Sequence, residues 1–131
     1  VRKMLRENMQ AYKARAEVVR NAEVYRDTFA ISVCDSSNLE SPTVVGAQAA
    51  NELLDITGIK ASFVLTDFQK KIYISARSID EIDVQMIMER MGGGGHLNFA
   101  GAQIEGKTIE EVTAEIRELL DRLIEEGEIV L

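Results

Sequence analysis

The stretch with the most chemical potential runs from Met91 to Ala100 and sets four consecutive glycines, Gly92 to Gly95, beside the only histidine, His96. Glycine lacks a β-carbon, so it adopts positive φ and lets other groups approach the backbone closely. One glycine is enough to end a helix, whereas a run of four offers backbone N–H groups that an anion can reach. Because His96 can also donate to phosphate, we expect an anion-binding loop; the alternative is a tight turn with an incidental histidine.

Arg77 is the second candidate, because it follows an apolar strand and is flanked by the small residues Ser75 and Ser78. Open α/β sheets place ligand contacts at strand ends, and a guanidinium binds phosphate bidentately or stacks on a base. A surface arginine is the alternative reading. A short helix joins Arg77 to the glycines, and the sequence leaves open whether the two ends of that helix lie at the same edge of the sheet.

The chain offers little else for catalysis. One histidine and one cysteine cannot supply a metal cluster of the usual kind. No Lys-Ser/Thr follows the glycines, so the run is not a P-loop. Cys34 lies in an apolar run and is expected to be a buried, inert thiol. The sequence therefore predicts ligand binding without hydrolysis by this chain alone.

Composition bounds the setting of the chain. A length of 131 residues with 46% hydrophobic residues suits one compact domain. The net charge of -7 argues against a general nucleic-acid coat. Without an apolar run of membrane-spanning length or a signal peptide, we expect a cytoplasmic location and no membrane contact by this chain. Because it opens on Val1 within a helical pattern, we expect an excerpt of a longer protein that could itself be membrane-anchored.

Hydrophobic periodicity predicts an α/β fold, a mixed β-sheet of about four or five strands flanked by helices, with an N-terminal connector helix. That first helix spans 2–22. We expect its apolar seam to pack on this domain, on a second copy or on a neighbouring domain. The seam consists of Leu5, Met9, Tyr12, Ala16 and Val19. Further helices are predicted over 42–56, 84–91 and 109–126, and strands over 28–34, 61–66, 71–76, 100–104 and 129–131. Strands 61–66 and 71–76 are close enough to form an antiparallel hairpin.

Local signals define several helix ends. Ser41 and Pro42 begin the second helix, Asp83 can cap the third, and Thr108 with Glu111 forms a capping box for the last. The second helix carries small residues that let it lie close to a sheet. Its buried face is expected to hold Val45, Ala49, Leu53 and Ile56.

The segments 74–78 (ISARS) and 92–97 (GGGGHL), with the helix between them, carry a family resemblance. The chain resembles the C-terminal, DHH-associated domain that accompanies the catalytic domain of DHH-family phosphoesterases, and most of all that of GdpP-type cyclic-di-AMP phosphodiesterases. The resemblance covers roughly 25–126. It implies a connector helix over 1–24 and a substrate-binding domain over 25–131.

The resemblance also implies roles. Substrate contacts fall on six residues: Arg77, Ser78, Gly93, Gly94, Gly95 and His96. No catalytic residue and no cofactor is implied for this chain, while manganese belongs to the catalytic DHH domain, which is expected as a partner in the same protein. The implied ligand is a cyclic dinucleotide or a short oligonucleotide. Residues 98–103 depart from the Thr-Asn or Asn-Ala-Ala variants that relatives often carry there.

Two alternative functions stay open at this point. The first is the binding domain of a nanoRNA hydrolase, oligoribonuclease or single-strand exonuclease of the same superfamily, which also has a related domain in alanyl-tRNA synthetases. The second is an interaction module without a ligand, in which helix 2–22 drives homodimerisation and the glycine run is structural.

Overall fold

A computed structural model describes residues 9–131, and its centre is a six-stranded sheet in the order β1-β2-β3-β4-β6-β5. The elements follow in the order α1 (Met9–Arg20), β1 (Glu23–Tyr25), β2 (Phe29–Cys34), α2 (Pro42–Leu53), β3 (Ala61–Phe68), β4 (Lys71–Ser78), α3 (Val84–Glu89), β5 (Gly94–Gly95), β6 (Phe99–Glu105) and α4 (Ile109–Glu125). Strands β2 and β3 pair in parallel, and the other pairs are antiparallel. The predicted mixed α/β sheet is confirmed, with six strands rather than four or five.

Helices cover both faces of the sheet, and each face has its own core. On one face, α3 and α4 pack on the inward side chains of β2, β3, β4 and β6. The largest buried side chains of this core, from strands and helices together, are Phe29, Phe63, Leu65, Ile87, Met88, Ile116, Leu120 and Leu123. On the other face, α1 and α2 cover mainly β2 and β3. The buried residues of this second core are Val18, Ala30, Cys34, Val45, Ala49, Ala50, Leu53, Ile59 and Val64. Burial raises the pKa of the Cys34 thiol, which fits the inert role expected for it.

Helix α2 lies close to the sheet, as its small residues predict. A β-carbon on Gly46 would come within 2.6 Å of Thr66 Oγ1. Ser62 Oγ donates to the Ala50 carbonyl at 2.6 Å. The helix begins at Pro42 as predicted, although Ser41 makes no side-chain capping bond.

The predicted hairpin and the caps predicted at Asp83 and Thr108 are confirmed. Strands β3 and β4 pair antiparallel along their length, and the two turn residues, Gln69 and Lys70, have positive φ as in a type I′ turn. Asp83 Oδ1 accepts from the Met86 N–H at 3.1 Å. In the capping box the Thr108 N–H donates to the Glu111 carboxylate at 2.9 Å. Hydrogen bonding from Thr108 lowers the pKa of the Glu111 carboxyl.

Helix α1 docks on α2 through a different face from the one predicted. The buried residues of α1 are Arg15 and Val18. Arg15 forms an ion pair with Glu52 of α2, and the Val18 carbonyl accepts from Ser32 Oγ of β2 at 2.6 Å. Ala11 and Ala14 pack beside them, and their small size lets the two helices approach.

Within the described part of the helix, the predicted apolar seam therefore does not pack on this domain, and a second copy or a neighbouring domain stays open as its partner. Leu5 lies outside the described residues; Met9, Tyr12 and Ala16 are exposed, and Val19 is half-buried. The reason is that the long Arg15 stem can be buried once its guanidinium pairs with a carboxylate, which an apolar count overlooks.

Three further expectations need correction. No strand forms over 129–131; instead Ile129 is 5% exposed and packs into the α4 core, because the chain turns back at Gly127 with φ +79°. Helix α2 ends at Leu53, which leaves Ile56 exposed. The additional strands are β1 and β5, whose three and two residues are too short to show a period.

Candidate ligand-binding face of the sheet

Helices α1 and α2 cover only part of their face of the sheet and leave β4 and β6 largely uncovered on that side. On β4 the burial alternates, so that Tyr73, Ser75 and Arg77 lie on the α2 side and are only half-buried. Their register partners on β6 are Gln103, Gly101 and Phe99, which share that face because cross-strand partners point the same way. These residues define a strip that we call the open face.

The middle of the open face has almost no side chains. Gly94 of β5 pairs with Gly101 of β6, which in turn pairs with Ser75 of β4. A groove of about 420 Å³ opens at the Tyr73 end, lined by Thr43, Tyr73, Ser75, Gly93, Gly101 and Gln103 among others. The open face is therefore a shallow trough with a bare floor and polar residues at one end.

Arg77 lies at the other end of the open face. Its side chain is half-buried, and Nη1 donates to the Ala76 carbonyl at 2.8 Å. Within residues 9–131 it forms no ion pair. Burial lowers the pKa of the guanidinium, yet an arginine remains charged at any physiological pH. A partly desolvated cation without a carboxylate partner is a favourable site for an anion.

His96 reaches the same end of the sheet through Phe99. The imidazole and phenyl rings lie 4.4 Å apart between centroids, at 35°, and the His96 N–H donates to the Phe99 carbonyl at 2.7 Å. Phe99 is the register partner of Arg77. The question left open by the sequence is thereby answered, since the glycine-His loop and the strand-end arginine meet at one end of the sheet.

Three of the four glycines have structural reasons to be glycine. Gly92 has φ +86° and ends α3, with its own N–H bonded to Glu89 and that of Gly93 bonded to Met88, as in a Schellman motif. A β-carbon on Gly93 would lie 2.0 Å from the Gly101 carbonyl oxygen, and one on Gly95 would lie 2.5 Å from Ala100 Cα. Packing and backbone conformation therefore explain why these positions are glycine, and the substrate contacts predicted for Gly93 and Gly95 stay a prediction.

Gly94 differs from its neighbours. A β-carbon there would meet nothing within 4 Å, and its φ is not positive. Within the glycine run, positive φ occurs at Gly92 and Gly95 and not at Gly94. What Gly94 contributes is empty space on the open face.

The expectation of four free N–H groups is also corrected. The amides of Gly92, Gly93 and His96 are bonded within the protein. Because the His96 N–H donates to Phe99, the Gly95–Ala100 pair is of the non-hydrogen-bonded type, and the Gly95 N–H points away from β6. Since β5 is the edge strand, this amide is the backbone donor that the loop offers outward.

Ser78 is buried, and its hydroxyl is engaged within the protein. Oγ donates to the Ile82 carbonyl at 2.7 Å and accepts from Asn98 Nδ2 at 3.0 Å. The Ser78 N–H donates to the Asn98 carbonyl at 3.0 Å. In this arrangement Ser78 fixes the turn between β5 and β6, and through it the positions of His96 and Phe99.

Sequence reasoning missed Tyr73, Gln103 and Phe99 as residues of the open face. The period of two along β4 places Tyr73 with Arg77, so this partner could have been found from the pattern. The register with β6 depends on tertiary pairing. Among residues 9–131 no three His, Cys, Asp or Glu side chains converge as metal ligands, and none of the described helices has the length and apolarity to cross a bilayer.

Comparison with known proteins identifies the family of the chain. Residues 28–126 match the DHHA1 domain. The chain is 40% identical to the cyclic-di-AMP phosphodiesterase PdeA of Listeria monocytogenes over 122 residues, which are 92% of this chain and 18% of that protein. It is 38% identical to the cyclic-di-AMP phosphodiesterase GdpP of Geobacillus thermodenitrificans, over 97% of this chain and 19% of that protein. It thus spans about a fifth of the length of these relatives.

A solved structure shows the same fold. An exopolyphosphatase-related protein from Bacteroides fragilis superposes with a TM-score of 0.78 at 22% identity, over 91% of this chain and 36% of that one. At this identity the likeness concerns the fold alone.

Proposed function

The chain belongs to the DHHA1 domain family, and we propose that it is the substrate-binding domain of a DHH-family phosphoesterase that hydrolyses cyclic-di-AMP to the linear dinucleotide. The observation that carries this proposal is Arg77, a half-buried guanidinium without an ion pair among the described residues, at the same end of the open face as His96.

Each part of the open face has a role toward a phosphodiester. Arg77 binds one phosphate through charge-assisted hydrogen bonds, and His96 supplies a further donor beside it. The bare floor at Gly94 and Gly101 lets the sugar-phosphate backbone approach the sheet. Binding at these groups orients the phosphodiester, while the metal ions of a neighbouring catalytic domain supply the activated water.

The dimensions and the relatives support a dinucleotide. From Tyr73 to Arg77 the open face runs four residues, about 13 Å along an antiparallel strand, which exceeds one phosphate group. The two relatives named above are cyclic-di-AMP phosphodiesterases, so cyclic-di-AMP is proposed ahead of short oligoribonucleotides.

Helix α1 has an exposed surface that a partner can cover. Met9 is 65% exposed and Tyr12 is 54% exposed, and exposed large side chains on one helix favour packing against another surface. We propose that the catalytic DHH domain of the same protein covers them. Sedimentation of the whole protein at several concentrations tests the competing homodimer: a mass that doubles for the wild type but not for Tyr12→Ala would favour dimerisation through α1.

The proposed function is tested by steady-state hydrolysis of cyclic-di-AMP by the whole protein. Loss of a hydrogen bond to a charged group costs about 1.5–3 kcal/mol, so Arg77→Ala and His96→Ala should each lower kcat/KM by roughly 10- to 150-fold. Arg122→Ala is the matched control, because it removes the same charge from an exposed position on α4. Equal kcat/KM for Arg77→Ala and Arg122→Ala, or no hydrolysis of cyclic-di-AMP by the wild type, would refute the proposal.

A further inference from the structure

We propose that the exposed ring of Phe99 is the surface on which a nucleobase of the substrate stacks. This inference rests on the proposed function and goes further, because it assigns the base contact to one residue. It also concerns the segment 98–103, which departs from the variants expected by family resemblance.

The exposure of Phe99 is unusual for its residue type. The chain has four phenylalanines; Phe29 and Phe63 are fully buried, Phe68 is half-buried, and Phe99 is 52% exposed. Leaving such a ring in water forgoes the stabilisation that burial would give. A ligand that covers the ring recovers this contribution.

The ring is held in place before a ligand arrives. Phe99 belongs to β6 and pairs with Arg77 of β4. Its carbonyl accepts from the His96 N–H, and its ring contacts the His96 imidazole. A flat group fixed on a strand loses little freedom when a second ring stacks on it, which favours binding.

The neighbours of Phe99 indicate an aromatic anion rather than an apolar protein surface. Arg77 lies beside it in register and has no ion pair among the described residues. An apolar partner would cover this guanidinium without pairing it, at a cost in desolvation. A nucleotide satisfies both groups, since its phosphate pairs with Arg77 while its base covers the ring of Phe99.

The test compares Phe99→Leu with Phe99→Tyr in the whole protein, using cyclic-di-AMP and a base-free analogue in which both adenines are replaced by hydrogen. Stacking of a base on an aromatic side chain corresponds to roughly a 5- to 150-fold change in affinity. We expect Phe99→Leu to raise KM for cyclic-di-AMP by that factor with a smaller change in kcat, and Phe99→Tyr to retain the wild-type KM. For the base-free analogue, wild type and Phe99→Leu should have the same kcat/KM.

The matched control is Leu97→Ala, because Leu97 is 48% exposed in the same turn and is aliphatic. A KM for Phe99→Leu within twofold of the wild type, or an equal rise in Leu97→Ala, would overturn the inference. If Arg77→Ala lowers kcat/KM while Phe99→Leu does not, this inference fails and the proposed function stands; if both are without effect, the proposed function fails as well.

A second measurement guards against a folding defect in Phe99→Leu. The chain contains no tryptophan, so Phe99→Trp introduces an indole at the proposed contact. Its emission, taken as the difference from the wild-type protein, should be quenched by cyclic-di-AMP and not by the base-free analogue. Equal quenching by both compounds, or none by either, would contradict stacking.

Discussion

A comparison of Gly93→Ala with Gly94→Ala separates the structural from the ligand-facing glycines. The added methyl group is the same, but its surroundings differ. At Gly93 the β-carbon would lie 2.0 Å from the Gly101 carbonyl oxygen and 2.7 Å from Ala102 Cα, both backbone atoms, whereas at Gly94 it would meet nothing within 4 Å. Overpacking of this kind costs typically 1–3 kcal/mol and occasionally more, whereas an unhindered surface change stays within about 0.5 kcal/mol.

Chemical denaturation followed by circular dichroism measures the two free energies of unfolding. We expect Gly93→Ala to be less stable than the wild type by about 2 kcal/mol or more and Gly94→Ala to match it. Because the Gly94 position faces the open face, Gly94→Val should weaken cyclic-di-AMP binding in the whole protein while leaving stability unchanged. Equal destabilisation by Gly93→Ala and Gly94→Ala would refute the account of the β5–β6 pairing.

Other parts of the fold give three further expectations. Ile129→Ala should lower the free energy of unfolding by about 2–5 kcal/mol, whereas Val130→Ala, at a 75% exposed position, should not. Capping-box bonds lower the pKa of Glu111. Its carboxylate therefore stabilises the fold fully above its unfolded-state pKa, near 4.5, and this stabilisation is lost as the pH falls through the lower folded-state pKa. Glu111→Gln should flatten the dependence of the free energy of unfolding on pH in that window. Val18→Ala should speed amide exchange across α1 more than Met9→Ala does, because Val18 is 1% exposed and Met9 is 65% exposed.

Much of the fold could be predicted because its signals are local. Asp83 and Thr108 mark helix starts through bonds to residues three positions ahead, and the structure contains both bonds. The β3–β4 hairpin follows from two apolar runs joined by a short turn. By contrast, the burial of Arg15 depends on Glu52, which lies on another helix, and no periodicity in α1 reveals such a partner.

The candidate site could be predicted in residue type but not in arrangement. Arg77 and His96 stand out by chemistry, yet their meeting at one end of the sheet depends on the pairing of β4 with β6. The same pairing gives the close contacts that require Gly93 and Gly95 to lack a side chain. The sequence shows a run of glycines, and only the register distinguishes the open position at Gly94 from its packed neighbours.

The most direct test of the central claim is a crystal structure of the whole protein with the linear dinucleotide product bound. The account predicts a phosphate oxygen within about 3 Å of the Arg77 guanidinium, with the dinucleotide lying along the open face between Arg77 and Tyr73. A dinucleotide bound in the protein without any contact to Arg77 or His96 would contradict it.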